Sequence, residues 1–235
     1  MTKSGTVWAV GSNTTGPIIL KRSGSRWVQV HVPIQTDLQS ITMTPAGQIW
    51  AVGIKADPVT FGIDTAILHL TASGWTEVPS PSPGGPNGSY LTTVTSGPHG
   101  ALWAVGWYFD PVNFEPHTLT LRYSAGHWTH VGSPSPGNSA DWLYSAAVSS
   151  SGQVWAVGGY AGPNCEHNLV EHFAGGSWHV VSVPNRGTCA KDDTNALYGV
   201  AVAGGSVYTV GQAGIDSLAE VARSGGHWKF LRSSN

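Results

Sequence analysis

Charge is what this sequence has least of. Its 235 residues include 11 basic and 13 acidic side chains, 10% of the chain, for a net charge of −2. Globular domains average about 25% charged residues. Without a basic stripe there is nothing to neutralise a phosphate backbone, so nucleic acid is excluded as a partner. No run of about 18 apolar residues exists, which excludes membrane insertion through a helix. Helical periodicity is missing as well: glycine or proline interrupts every window of about 11 residues that might hold a 3.6-residue period. The two cysteines do not have zinc-ligand spacing. Disorder is excluded too, because 40% of the residues are hydrophobic.

Tryptophan and glycine are abundant, with 11 and 31 copies. The tryptophans recur. Trp8-Ala9-Val10-Gly11 returns as Trp50-Ala51-Val52-Gly53, Trp103-Ala104-Val105-Gly106 and Trp155-Ala156-Val157-Gly158, and then as Tyr208-Thr209-Val210-Gly211. A second series, Trp27, Trp75, Trp128, Trp178 and Trp228, follows these copies after a Gly-containing turn. The period is about 50 residues, in the range of repeat architectures.

Each repeat reads as four short strands rich in Val, Ile, Thr and aromatics, bounded by Gly, Pro and Ser. The strand before the first Trp is Leu38–Thr44, Leu91–Ser96, Leu143–Ser149 or Leu197–Ala203. The Trp-Ala-Val strand is second. The third is Ile18–Lys21, Ala66–Leu70, Leu119–Tyr123, Leu169–Phe173 or Leu218–Ala222, and the fourth begins at the later Trp. The expected fold is all-β: one five-bladed β-propeller over 1–235 with four-stranded antiparallel blades near 5–33, 37–80, 90–133, 142–184 and 196–232. Nine tryptophans then fill the wedges between blades as scaffold.

The pattern Gly-x-Val-Trp-Ala-Val-Gly, then Leu-x-His/Arg-x-x-x-Gly-x-Trp-x-x-Val, then Ser-Pro-x-Pro-Gly resembles tandem repeats of bacterial surface and secreted proteins. The likeness covers nearly the whole chain and implies a propeller, but it brings no settled activity. The turns before Trp27, Trp128 and Trp178 resemble sialidase Asp-boxes that lack the defining Asp. The Pro-x-Gly-x-x-Trp turn is shared with the seven-bladed streptogramin-inactivating lyase, whose blade count differs.

The first repeat opens at Gly5-Thr6-Val7-Trp8 and so lacks its own inner strand. A shortened chain, a misassigned start, an open position and a strand from a partner would each account for this. An unpaired inner edge is a template for another strand. The open first blade therefore allows a homo-oligomer joined by strand donation.

In an up-and-down meander the two–three loops and the four–one crossovers share one face of the disc. Length variation gathers there, which is where binding residues tend to sit. Trp107 and Trp142 fall outside the repeat and map to this face. Trp107 opens the loop Trp107-Tyr108-Phe109-Asp110-Pro111-Val112-Asn113-Phe114-Glu115-Pro116-His117, and Trp142 follows Asp141 in the next crossover. Tyr90 holds the position of Trp142 one crossover earlier. Trp107, Tyr108, Phe109, Asp110, Asn113, His117, Asp141, Trp142 and Tyr90 thus form the candidate ligand-binding set, with Glu115 alongside. Flat rings beside hydrogen-bonding groups suit a sugar, and the competing reading is that the rings pack the loop onto its own blade.

Cys165 and Cys189 lie in a two–three loop and the following crossover of the fourth blade, on that same face. A disulfide between them is geometrically feasible and points to an oxidising compartment. Closing the loop would contribute about 3 kcal/mol on the chain-entropy account. His69, Arg122 and His172 share a strand-three repeat position, as structural polar residues do. No metal motif, Gly-x-Ser-x-Gly element or helix-opening glycine loop is present. The inner strands carry no carboxylate beyond Asp37 and Asp141 at their starts. The expectation is an extracellular or cell-surface, non-enzymatic module that binds carbohydrate or a protein through the loop face, without cofactor or metal. The alternatives are an assembly subunit completed by a neighbour's strand, and a secreted glycosidase or lyase.

Overall fold

The computed structural model describes residues 6–185, 194–214 and 217–230. Among them every regular element is a β-strand except two single-turn 3-10 helices, Gly85–Asn87 and Pro98–Gly100. The strands are β1 (Trp8–Asn13), β2 (Gly16–Ser23), β3 (Arg26–Val30), β4 (Asp37–Met43), β5 (Ile49–Ala56), β6 (Ile63–Thr71) and β7 (Gly74–Glu77). Next come β8 (Ser89–Ser96), β9 (Leu102–Phe109), β10 (Pro116–Ser124), β11 (His127–His130), β12 (Asp141–Val148) and β13 (Val154–Ala161). The last are β14 (Glu166–Ala174), β15 (Ser177–Val180), β16 (Asn195–Ala203), β17 (Ser206–Ala213), β18 (Ser217–Ser224) and β19 (His227–Phe230). They form five antiparallel meanders in chain order. The first sheet, β1-β2-β3, has three strands and each of the others has four.

Side-chain alternation along the Trp-Ala-Val-Gly strand explains how the sheets stack. Trp and Val point to one face, Ala and Gly to the other. Trp50 and Val52 of the second sheet pack among Leu91, Val94, Leu102 and Trp128 of the third. Ala51, on the opposite face, joins Ile19 of the first sheet. The same handover places Trp8 and Val10 on the second sheet, Trp103 and Val105 on the fourth, and Trp155 and Val157 on the fifth.

At each junction the two tryptophan series meet edge to face. The ring centroids are 5.9 Å apart for Trp8–Trp75, 5.8 Å for Trp50–Trp128, 5.3 Å for Trp103–Trp178 and 6.1 Å for Trp155–Trp228, with interplanar angles of 85°, 78°, 85° and 71°. This is the geometry the ring quadrupole favours, worth about 0.5–1.5 kcal/mol beyond area burial. A cross-strand neighbour covers each first-series indole. His69 and His172 stack on Trp50 and Trp155 at 4.1 Å, while Lys21 and Arg122 sit 5.4 Å and 5.6 Å over Trp8 and Trp103. The shared strand-three position is therefore an indole cap, in two cases a cation–π contact.

The glycine that closes the motif is required by a bulge. The inner strand slips register at Leu38/Ser40, Leu91/Thr93, Leu143/Ser145 and Leu197/Gly199. Each slip carries a carbonyl over the neighbouring glycine. A Cβ on Gly53, Gly106, Gly158 or Gly211 would lie 1.8–1.9 Å from the carbonyl oxygen of Asp37, Tyr90, Trp142 or Ala196. The Ser-Pro-Ser crossovers are clamped from inside the sheet. Buried Thr65 and Thr118 each reach two serines and the intervening proline carbonyl (Ser80, Pro81, Ser82; Ser133, Pro134, Ser135).

Trp27 departs from the expectation that all nine repeat tryptophans are core. It is 49% exposed, because among the described residues no sheet packs over that face of the first. At the other end Tyr208, in the first-Trp position, is 43% exposed beside exposed Val210. Among the described residues no packing like that between neighbouring sheets joins the fifth sheet to the first.

Glu171 stands in β14 opposite Ala156, where Leu68 and Leu121 stand opposite Ala51 and Ala104. It is fully buried, and neither carboxyl oxygen has a hydrogen-bond partner among the described residues. Burial pushes its pKa well above the ordinary glutamate value, with a smaller push from Asp141. Below about pH 4.3 the folded and unfolded forms are both protonated and the site is neutral. As pH rises from there towards the folded-state pKa, the unfolded chain ionises first and stability falls. Glu171→Leu is expected to stabilise by about 1–3 kcal/mol, with the gain over wild type growing between pH 4.5 and 7 in thermal denaturation. A gain that shrinks with pH contradicts this.

Candidate functional site

The face carrying the two–three loops and the crossovers is more regular than the sequence implies. Trp107, Tyr108 and Phe109 continue β9 rather than opening a loop, and pair with Thr118, His117 and Pro116 of β10. The loop shrinks to residues 110–115. Asp141 and Trp142 likewise lie in β12, opposite Tyr160 and Gly159, and Tyr90 lies in β8 opposite Trp107. Pairing extends because the rings and β-branched residues there fit a pleated surface.

Alternation then separates residues that the sequence places together. Trp107 stacks on Tyr90 at 5.3 Å and 11° and meets Tyr144 at 6.1 Å. Tyr108 turns to the opposite face, where it lies 5.8 Å from His117 and 5.9 Å from His130. Trp142 shares the position of Tyr90 but one sheet further on, opposite a glycine. The ring contacts of Trp107 are thus with Tyr90 and Tyr144.

Tyr144 and Tyr198 are the extra residues of two inner-strand bulges, in the positions of Gln39 and Thr92. Their rings meet at 5.2 Å. With Phe109 against Tyr90 at 6.0 Å, a continuous strip runs Phe109–Tyr90–Trp107–Tyr144–Tyr198 across the third, fourth and fifth sheets. Gly88, at φ +109°, makes room for it: a Cβ there would lie 2.9 Å from the Tyr90 ring. Burial, with Tyr198 and Glu166 nearby, pushes the Tyr144 hydroxyl up to about 12. It therefore remains a hydrogen-bond donor at neutral pH. Tyr198 is 51% exposed, so the strip ends in solvent. Tyr144 and Tyr198 are absent from the sequence-derived set. The sequence signal for them is the replacement of Leu-Gln-Ser and Leu-Thr-Thr by Leu-Tyr-Ser and Leu-Tyr-Gly at one repeat position.

The polar members of the set shape the backbone. Asp141 is 2% exposed and accepts the Gly137 N–H at 2.7 Å; Ser89 accepts from Gly84 at the same point one repeat earlier. Burial raises the Asp141 pKa. Asp110 accepts the Val112 and Asn113 N–H groups, which hold its carboxyl below the usual range. Asn113 donates to Glu115 at 3.0 Å. Among the described residues no group of three or more His, Cys, Asp or Glu converges as a metal site. Cys165 lies near His167, with Sγ 3.5 Å from Nε2, and no free cysteine occurs among the described residues. Cys189 lies outside the described residues.

A second feature of this face was not anticipated. The loops Asp57-Pro58-Val59-Thr60-Phe61-Gly62 and Asp110-Pro111-Val112-Asn113-Phe114-Glu115 have one construction. In each, the Asp carboxylate caps two N–H groups, the Asp carbonyl accepts from the Phe N–H, and the Phe adopts positive φ, 57° for Phe61 and 61° for Phe114. Val59, Phe61, Val112 and Phe114 are 82%, 88%, 89% and 66% exposed. Asp-Pro-Val-x-Phe recurring at the Trp50-to-Trp103 spacing is the sequence signal. A polar cleft of about 320 Å³ opens beside the first loop, next to the 2.6 Å Lys55–Glu77 ion pair.

No protein-family model matches the chain, and no curated protein matches it by sequence. Solved structures do match it by shape. The six-bladed fucose-recognising lectin of Aleuria aurantia superposes with TM-score 0.60 at 14% identity, over 98% of this chain and 74% of that one. The periplasmic gluconolactonase PpgL of Pseudomonas aeruginosa does so with TM-score 0.62 at 12% identity, over 99% and 69%. YCF48 bound to D1 peptide gives 0.53 at 15%, over 95% and 62%. The class is thereby settled: the fold is a β-propeller.

Bulky residues at positive φ cost about 1–2 kcal/mol, and here Phe61 and Phe114 remain mostly exposed. Phe61→Asn and Phe114→Asn are expected to leave the melting temperature unchanged or raised, since Asn tolerates this backbone. A loss above about 1 kcal/mol would show that the rings serve folding.

Proposed function

We propose that this chain is a five-bladed propeller that acts outside the cytoplasm as a non-enzymatic carbohydrate-binding module. Its site is the aromatic strip of Tyr90, Trp107, Tyr144 and Tyr198, flanked by Phe109 and Trp142. The observation that carries the reading is the continuity of that strip, partly exposed and ending in solvent. Rings in this state present apolar faces to the C–H faces of a sugar, while tyrosine hydroxyls and nearby main-chain groups fix its orientation. The Aleuria lectin shows that a propeller of this general shape can recognise a sugar. Asp110, Asn113 and Asp141 support the site by shaping its loops, and Tyr108 with His117 lies behind it. Hydrolysis of a glycoside needs two carboxyl groups free to flank the bond; here the carboxylates of Asp110, in a loop, and Asp141, at the start of β12, accept N–H groups, which favours recognition over catalysis.

A protein partner is the second reading. The four exposed apolar side chains of the twin loops favour it, as such tips do at interfaces, and YCF48 is a structural neighbour that holds a peptide. The extracellular setting goes with a Cys165–Cys189 disulfide. Intact-mass measurement is expected to show a gain of two hydrogens on reduction, and titration of two free thiols per chain would remove that support.

A glycan array is the direct test. We expect binding to at least one glycan class, weakened tenfold or more by Trp107→Ala and by Tyr144→Ala, about 1.4 kcal/mol each. Binding that survives both substitutions would place the sugar elsewhere.

A further inference from the structure

The twin loops carry an excess of negative charge as well as exposed apolar side chains. Val59, Phe61, Val112 and Phe114 are 82%, 88%, 89% and 66% exposed. Both loops are held on one crossover. Gly62 packs against Pro86, where a Cβ would lie 2.8 Å from the Pro86 carbonyl oxygen, and Asn87 Nδ2 donates to the Asp110 carbonyl at 3.2 Å. The Phe109 N–H donates to the Gly88 carbonyl at 3.0 Å. Residues 84–88 thus join the two tips into one surface. Residues 50–121 carry Asp57, Asp64, Glu77, Asp110 and Glu115 against Lys55 alone, a net charge of −4 in a chain of net −2. The Val59 and Val112 N–H groups hold the Asp57 and Asp110 carboxyls below the usual range, so both are ionised at neutral pH. The cleft of about 320 Å³ beside the first tip sets the second sheet apart. Lys55, Asp64 and Glu77 line it. At the equivalent positions the third sheet has Tyr108 against His117 and His130, and the fourth stacks Tyr160 on His167. Lys55 pairs with Glu77 at 2.6 Å, and the Asp64 carboxylate has no hydrogen bond or ion pair among the described residues.

Building on the protein-partner reading of these loops, we propose that the twin tips and the cleft form one docking surface for a protein segment that presents apolar side chains beside a lysine or arginine. The apolar side chains of the segment cover Val59 and Phe61 and, across the crossover, Val112 and Phe114. Its cation enters the cleft and donates to Asp64. Charge selects among the possible occupants. A second copy of this chain would set five carboxylates against five, and like charges brought together across an interface are costly. An anionic lipid surface or a nucleic acid would be repelled for the same reason. A segment that is both basic and apolar covers the tips and balances their rim. The apolar contacts supply most of the affinity, and the cation supplies orientation and selectivity.

The probes are short synthetic peptides of repeating Leu-Lys-Lys-Leu, Leu-Glu-Glu-Leu and Ser-Lys-Lys-Ser, titrated into the full chain. We expect the lysine–leucine peptide to bind, and the other two to bind at least tenfold more weakly. The double variant Phe61→Asn/Phe114→Asn should lose tenfold or more of that binding, and Asp64→Asn about threefold. Neither variant should melt more than about 2 °C below wild type, since the altered side chains face solvent or the open cleft. Absence of binding by the lysine–leucine peptide overturns the proposal. Equal binding by the double variant overturns it together with the protein-partner reading of the loops. Preference for the glutamate–leucine peptide, still lost in the double variant, overturns the cation and leaves that reading standing. Sedimentation with phosphatidylcholine vesicles that the double variant abolishes would make the occupant a lipid surface, and would overturn the proposal as well.

Discussion

The structure depends on one contact, two indoles meeting edge to face across the gap between neighbouring sheets. Each of the first four sheets offers the same pair of faces, one with a Trp and a Val, the other with an Ala, a Gly and the second Trp. Neither face is buried by its own sheet, so no sheet is stable alone and each is stabilised by the next. The four pairs are alike in distance and angle, which makes the stack regular without any long-range signal in the sequence. It also explains the low charge of the chain. Most side chains are committed to faces or to tight turns, and the cations and histidines of the third strands cap indoles instead of meeting carboxylates.

That regularity leaves few positions free for recognition. The strand faces belong to the scaffold, so variation is confined to bulge residues, to the ends of the second strands and to the two–three loops. The aromatic strip is built from the first two of these. Tyr144 and Tyr198 reach it because a bulged residue is released from alternation, whereas Tyr90 and Trp107 reach it because their strands extend beyond the apolar core. The twin Asp-Pro-Val-x-Phe loops use the third kind of position, and there the backbone holds a costly conformation for side chains that stay mostly exposed. Strain retained without local return is characteristic of sites selected for something other than folding.

Much of the scaffold was legible in the sequence. The Trp-Ala-Val-Gly strands, the second Trp series and the three-stranded first sheet follow from the repeat, since identical motifs at one spacing must occupy identical places. The site was legible only in part. Trp107 stands out because it breaks the repeat, but its ring partners Tyr90 and Tyr144 follow only once alternation is counted through the bulge. Tyr144 and Tyr198 are marked in the sequence only by a tyrosine at one repeat position, and that this position is a bulge is a register property of two strands. Asp110 and Asp141 read as ligand contacts because a carboxylate capping its own turn has the same sequence as a free one. Trp27 reads as core because the repeat gives no notice of which face is left uncovered among the described residues.

The same repeat logic gives the glycines their meaning. Four of them are explained by a carbonyl overhead, and the fifth, Gly11, meets nothing within 4 Å of a Cβ among the described residues. Amide hydrogen exchange tests this reading of the scaffold most directly, because it reports each backbone hydrogen bond separately. The amides of β1 on the side away from β2 should exchange at least tenfold faster than the equivalent amides of β5, β9 and β13, each of which has an inner strand beside it. Equal protection along all four strands would mean that the inner edge of the first sheet is already filled, and would contradict the account.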